Sequence, residues 1–408
     1  MDLTSHIEKQ FLGGSQRICA AEETLTRILP HQRAFGITRL ANVTGLDRVG
    51  LPVVIAIRPN ARSIAVSQGK GMTLAHAKAS ALMESIEIWH AERLDQPVFY
   101  ASIADLEAEH SFVNLDRLPG TPHPQPPRTE RQHWVIAQDI LNDCEKLVPF
   151  EMVHADYTYP VAAEAGRYPA STNGLASGNH VMEAICHGIC EVIERDALAL
   201  WHAAPLRSRA RTRLDPGTIN DRLLQQSLAK FEAAGLRCAI WEATSDAGVP
   251  SFVAVLHDPE AQADHIGLGS GTHPDPVIAL HRTLNEAAQT RLNYISGARE
   301  DLFHDEYSAE GRAAKAAEFA DLLQASDPQR TFGQTTGVIN TTVGEDLDWL
   351  KNKLQSIGTE EICVVDLTRD PFRIPVVRVI IPGLEAPHDD VAYVPGPRAL
   401  AAADRLAI

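Results

Sequence analysis

GKGMTLAHAKASALMESIEIWHAER (residues 69–93) and NGLASGNHVMEAICHGICEVIERDALALWH (residues 173–202) carry the same pattern twice. In each, a glycine precedes a helical pattern bearing two glutamates three apart: Gly71, Glu84 and Glu87 in the first, Gly178, Glu191 and Glu194 in the second. Every member of the second set lies 107 positions after its counterpart. The same offset superposes Leu74 on Val181, Ala77 on Ala184 and Ile86 on Ile193, so the apolar face repeats as well. A fainter third copy follows Gly267, Gly269 and Gly271. There Asp275 is placed to cap a helix, Pro276 to open it, and Glu286 and Gln289 to fill the E-x-x-E places.

Side chains at i, i+4 and i+7 share one face of a helix. Ser80, Glu84 and Glu87 therefore form one polar stripe, His187, Glu191 and Glu194 a second, and Arg282, Glu286 and Gln289 a third. Apolar stripes run elsewhere on the same helices, with Leu82, Ile86 and Trp89 on the first and Ile185, Ile189 and Val192 on the second. The pattern predicts three strand, glycine-loop, helix units that bury one face and turn the other toward a shared centre. Around them, β-rich runs alternate with helical patterns: VVIAIR (53–58), SIAVS (63–67), CAIWEAT (238–244), FVAVLHD (252–258), ICVVDLT (362–368) and VVRVII (376–381). The fold class expected is mixed α/β (α+β). RLPGTPHPQPPRTERQ (117–132) reads as an exposed loop, because its five prolines between Pro119 and Pro127 remove backbone donors.

The glutamate stripes carry the chemistry. Carboxylates a turn apart repel by about a few tenths of a kcal/mol in water and by more when partly buried. One E-x-x-E pair alone is ordinarily a solvated acidic face, but a solvated face has no reason to recur at a fixed distance from a glycine. Hard divalent cations are the natural compensation, since Mg²⁺ takes oxygen ligands and bridges carboxylates to phosphates. Glycine-bearing loops at the helix starts would let backbone amides approach phosphate oxygens, although none matches GxxxxGK[ST].

Composition narrows the classes. The chain has 408 residues, 44% apolar and 22% charged, as in an ordinary globular protein. Its 37 Lys and Arg against 53 Asp and Glu give a formal charge of -16, which argues against nucleic acid or an anionic membrane as partner. The start MDLTSHIEKQFLGG lacks the basic and apolar regions of a signal peptide, and no stretch approaches the roughly 20 apolar residues of a membrane span, so a cytoplasmic location is expected. The six cysteines contain no CxxC pair. Cys186 and Cys190 share a helical face without further ligands and are read as core.

The two opening segments, with HRTLNEAAQTRL (281–292), resemble the three nucleotide-site motifs of the YcaO family. The resemblance runs from GITRLANVTGLDRVGLPVV (36–54) to GLEAPHDDVAYVPGPRA (383–399), and ERDALALW is its most specific part. It implies a single domain over 1–408, in which segments 36–112, 133–235 and 236–300 supply three strand–helix units around a central ATP cleft. Residues 301–408 would form a C-terminal portion with a PGP-containing tail. It implies ATP and Mg²⁺ as cofactors, with Glu84, Glu87, Glu183, Glu191, Glu194 and Glu286 around the metal and triphosphate. Ser80, Asn179, Arg195 and Arg282 would contact the nucleotide, with Arg195 or Arg282 also neutralising charge during transfer. Lys70 is either a phosphate contact or an exposed lysine. Arg39 and Arg48 are further candidates, with surface salt bridges as the alternative. Met83 departs from the arginine of some relatives. No role falls to His76, His90, His187 or His281.

YcaO relatives transfer the γ-phosphoryl group of ATP to a peptide carbonyl oxygen, after which a nucleophile attacks the amide carbon. A Cys, Ser or Thr of the substrate gives an azoline, and a sulfide equivalent gives a thioamide. The opening and tail resemble the subgroup whose genes accompany TfuA, which implies a TfuA-like partner, a sulfide donor, a peptide or protein substrate and a thioamide product; a homodimer stays open. The tail PGPRALAAADRLAI lacks the PxPxP ending of azoline formers, and no extra N-terminal domain that would grip a leader peptide is evident. The alternatives are an azoline-forming cyclodehydratase and a noncatalytic accessory factor for methylthiolation of ribosomal protein S12.

Overall fold

A computed structural model describes residues 3–4, 6–160, 165–260, 265–325, 327–390 and 392–404. The chain divides into two compact units interleaved in sequence: Met1–Glu8, Ile86–Ala203 and Asn340–Ile408 form one, Lys9–Ser85 and Ala204–Ile339 the other.

In the second of these there are two three-stranded antiparallel sheets, whose middle strands are the runs VVIAI and SFVAVLH, rich in β-branched residues. Arg39–Asn42, Val53–Ile57 and Val66–Lys70 make one; Arg237–Glu242, Ser251–His257 and Gly267–Thr272 make the other. The last strand of each feeds a helix. Thr73 accepts from the His76 amide at 3.2 Å at the start of Leu74–Ala91. Pro276–Ser296 is capped as expected by Asp275, which accepts from the Val277 amide, and ends at Gly297 in the left-handed region. Phe231, Ile240, Phe252, Leu256, Leu280 and Leu284 fill the core under the second sheet.

The glycines expected in loops lie largely in these strands. Gly69 pairs with Val54 inside Val66–Lys70, and Gly267, Gly269 and Gly271 alternate along Gly267–Thr272. Their missing side chains let a helix lie directly on the strand. A Cβ on Gly69 would stand 2.0 Å from the Ala81 nitrogen and 2.1 Å from the Ala77 oxygen, and one on Gly269 2.1 Å from the Thr283 oxygen. Close helix–strand packing, rather than phosphate approach, is what these positions require.

The other unit holds a six-stranded antiparallel sheet. Its order is Val98–Ala101, Gln132–Asp139, Cys363–Asp366, Val376–Ile380, Leu175–Ser177, with Cys144–Pro149 also paired to Gln132–Asp139. The 23-residue helix Val181–Ala203 lies against this sheet, and Gly188 makes the approach possible: a Cβ there would meet Val379 Cγ2 at 2.6 Å. Ile185, Ile189 and Val192 are buried along it, as their spacing predicts. Residues 118–131 form no regular structure, in line with their prolines, and 122–125 are exposed. None of the described helices is long and apolar enough to cross a membrane.

Candidate functional site

The unit boundary at Ser85–Ile86 falls inside the helix Leu74–Ala91, so each unit holds its own part of the predicted site. In the first to be taken, Lys9–Ser85 with Ala204–Ile339, three predicted residues come together. Lys70, at the end of its strand, forms an ion pair with Glu286 Oε2, and Ser270 Oγ donates to Glu286 Oε1 at 3.2 Å. Glu84 Oε1 accepts from the Gln68 amide at 3.4 Å, and Gln289 Nε2 donates to the Gln68 carbonyl at 2.8 Å. The carboxyl of Glu84 titrates above its usual range. Burial is the main cause and the nearby charge of Glu286 adds to it, while Arg299, the Gln68 amide and Lys70 oppose it. Lys70 is thus no free surface lysine: it stands between two carboxylates of different helices. Arg282 lies one turn before Glu286, where its charge helps, after desolvation, to keep half-buried His273 well below the usual histidine range. Ser80, half-buried, stands one turn before Glu84. Arg48 pairs with Asp258 at 2.5 Å, the salt-bridge alternative.

In the other unit, Glu87 Oε1 accepts from both the amide (2.8 Å) and the hydroxyl (2.5 Å) of Ser177, at the end of Leu175–Ser177. The Asn179 amide donates to Glu183 Oε1 at 3.3 Å, and Glu183 and Glu194 are buried. Glu191 faces the charge of Arg378, a residue the sequence reading passed over. Its signal was a cation inside the otherwise apolar run VVRVII, since an arginine in a buried strand needs a partner or a task. Burial pulls Arg378 down to about 10, with Tyr157 and Glu191 opposing, so it is a cation at neutral pH. Arg195 acts electrostatically on His388, whose ring stacks on His202 at 3.9 Å. Asp196, next in the chain and equally unforeseen, is buried and takes Arg398 of the tail at 2.8 and 2.9 Å.

Among the described residues, no three His, Cys, Asp or Glu side chains stand close enough to enclose an ion by themselves. That suits Mg²⁺, which commonly binds through one or two carboxylates and completes its shell with phosphate oxygens and water. The donors here are all oxygen, half-buried or buried, and set beside cations fit to meet phosphate.

The sequence model of the YcaO family, described as "YcaO cyclodehydratase, ATP-ad Mg2+-binding", matches residues 68–385. An uncharacterized protein of Rhizobium leguminosarum bv. trifolii, from the tfuA 3' region, is 33% identical over 376 residues, 90% of this chain and 88% of that one. An uncharacterized protein of Methanothermobacter thermautotrophicus is 37% identical over 374 residues, covering 89% and 93%. The fold is similar to that of YcaO from Methanopyrus kandleri bound with AMPPCP and Mg²⁺, with TM-score 0.71, 24% identity and coverage of 93% and 94%. It is also similar to that of a heterocyclase in complex with substrate and cofactor, with TM-score 0.77 and 23% identity; the match takes in 94% of this chain but only 54% of that one. A family match across most of the length, reinforced by relatives above 30% identity, makes this chain a member of the YcaO family, with ATP and Mg²⁺ as its cofactors.

Proposed function

We propose that this protein activates a backbone amide of a peptide or protein by phosphorylating its oxygen, and that a sulfide equivalent then converts the amide to a thioamide. The reaction would run in the cytoplasm with a TfuA-like partner. One observation carries the amide-activating reading: the predicted carboxylates sit partly buried at the helix starts and faces, four of them (Glu84, Glu87, Glu183 and Glu286) already oriented by a local donor, in a chain of an ATP- and Mg²⁺-binding family.

Glu84, Glu87, Glu183, Glu191, Glu194 and Glu286 are the proposed metal-holding set, drawn from segments 36–112, 133–235 and 236–300. Lys70, Ser80, Asn179, Arg195 and Arg282 are proposed to meet the nucleotide, with Arg195 and Arg282 countering charge on the transferring group. When bound, Mg²⁺·ATP supplies the γ-phosphoryl group: the amide oxygen takes it, ADP leaves, and sulfide attack at the amide carbon expels phosphate. The chain's part is positioning and charge neutralisation, which is most of what phosphoryl transfer asks of a protein. Ser177 fixes the Glu87 carboxylate, and Lys70 lets Glu84 and Glu286 stay near each other.

The relative encoded in the tfuA 3' region supports the thioamide branch. The family's description as cyclodehydratase supports azoline formation as the second reading. One incubation separates them. With ATP, Mg²⁺, sulfide, a TfuA-like protein and a peptide labelled with ¹⁸O at the target amide, thioamidation exchanges oxygen for sulfur and sends ¹⁸O into phosphate. Azoline formation removes the labelled oxygen from the peptide without adding sulfur. Absence of ATP turnover with every peptide and partner tried, or full turnover by Glu191→Gln, would contradict both.

A further inference from the structure

Arg378 sits in the middle of the strand Val376–Ile380 and is only 2% exposed. A guanidinium buried that deeply ordinarily meets a carboxylate, because an unpaired charge away from water costs several kcal/mol, on the order of the penalty for breaking a buried ion pair. Here the Glu191 carboxylate acts on it only through its charge: Nη2 donates to the Ser171 carbonyl at 2.6 Å, while among the described residues Nε and Nη1 have no hydrogen-bond partner. The same side chain lines a cavity of about 420 Å³, counting the part open to solvent. Asn173, which also lines it, has a buried Oδ1 that is without a hydrogen-bond partner among the described residues. Glu385, a carboxylate on that wall, is engaged by the tail: it accepts from the Gly396 and Ala399 amides and from the Tyr393 hydroxyl. Val192, Ile381 and Pro387 contribute apolar surface, which strengthens any charge-assisted bond made inside.

We infer that this cavity is an oxyanion pocket that takes a phosphate group, with Arg378 Nε and Nη1 donating to phosphate oxygens and Asn173 accepting from a phosphate hydroxyl. A guanidinium presents two parallel N–H donors in the fork that phosphate oxygens match. Hydrogen phosphate also carries the hydroxyl that an orphaned amide oxygen needs; an ionised nucleotide phosphate carries none and would be held by Arg378 alone. The pocket stands on its own atoms. That its phosphate belongs to the reaction, as free phosphate released or as part of the nucleotide, rests on the ATP-dependent reading above.

The test follows inorganic phosphate by ³¹P line broadening on the full chain, and a nonhydrolysable ATP analogue with Mg²⁺ by calorimetry, for the native protein, Arg378→Met and Asn173→Asp. Loss of two charge-assisted bonds should weaken phosphate by at least about tenfold in Arg378→Met. The added carboxylate of Asn173→Asp should do the same with Arg378 intact, which keeps the test open if Arg378→Met folds poorly. Loss of phosphate with nucleotide affinity unchanged identifies free phosphate as the occupant; loss of both identifies a nucleotide phosphate. A native protein that binds phosphate but no nucleotide would overturn the ATP reading and leave the pocket standing. Phosphate held equally by all three proteins, or by none with nucleotide affinity equal in all three, would overturn the pocket.

Discussion

Asp196 should decide whether the C-terminal tail is held in place. It is fully buried, and both of its oxygens are used: Oδ1 accepts from Arg398 Nε at 2.8 Å and from the Glu385 amide at 3.0 Å, Oδ2 from Arg398 Nη2 at 2.9 Å. Glu385 then takes the Gly396 and Ala399 amides at 2.8 and 2.9 Å. Two carboxylates therefore pin residues 396–399 to the helix that carries Glu191 and Glu194. Asp196→Ala strips one partner from a buried bidentate pair and leaves the Arg398 cation and the Glu385 amide without their acceptor, at a cost of about 3–5 kcal/mol. At about 1.4 kcal/mol per tenfold, local opening of the tail should become roughly a hundredfold to several thousandfold more frequent. Hydrogen exchange of the 393–404 amides reads that directly, without requiring a chain of two units to unfold in one step. Arg398→Met should act alike, because it takes the cation away from a buried carboxylate. Asp196→Leu combined with Arg398→Met should recover much of the loss, since an apolar pair replaces both charges. Tail exchange in Asp196→Ala within about threefold of the native rate would refute the clamp.

Two further outcomes follow from packing and burial. Gly69→Ala places a methyl 2.0 Å from helix backbone and should cost more than about 3 kcal/mol or leave the protein insoluble. Gly45→Ala, with nothing within 4 Å, should stay within about 0.5 kcal/mol; equal soluble yield and melting for both would contradict the strand–helix contact. His90 is 1% exposed and burial pulls its pKa to about 4, against 6.5 in the unfolded chain. Below pH 6.5 the unfolded state gains a proton that the folded state refuses, so stability falls with pH until about 4. Urea titrations should find the stability advantage of native protein over His90→Gln narrowing by about 2 kcal/mol between pH 8 and pH 5; a constant gap would show that His90 does not titrate as buried.

The elements that carry the site were legible because periodicity and repetition are local properties. Leu82, Ile86, Ile185 and Ile189 are buried as their spacing demands, and Asp275 and Pro276 open their helix. The strand lies at 66–70 rather than at the 63–67 that its β-rich run suggests, since Gly69 and Lys70 look like loop until the helix that needs a glycine beneath it is present. Glu84, Glu286 and Lys70 could be named but not joined. Their meeting depends on the strand Val66–Lys70 and the helix Pro276–Ser296, about 200 residues apart in the chain. Arg378, Asp196 and Arg398 escaped for the same reason. A buried charge reads as an anomaly along the chain and acquires a task only through partners brought from elsewhere.

The most direct test of the account is calorimetric binding of a nonhydrolysable ATP analogue with and without Mg²⁺, in the native protein and in Glu84→Gln, Glu191→Gln and Glu286→Gln. Carboxylates that reach the nucleotide through metal predict binding only with Mg²⁺ and a loss of about tenfold or more in each variant, as expected for one charged contact. Binding that ignores Mg²⁺, or that all three variants retain at native affinity, would contradict it.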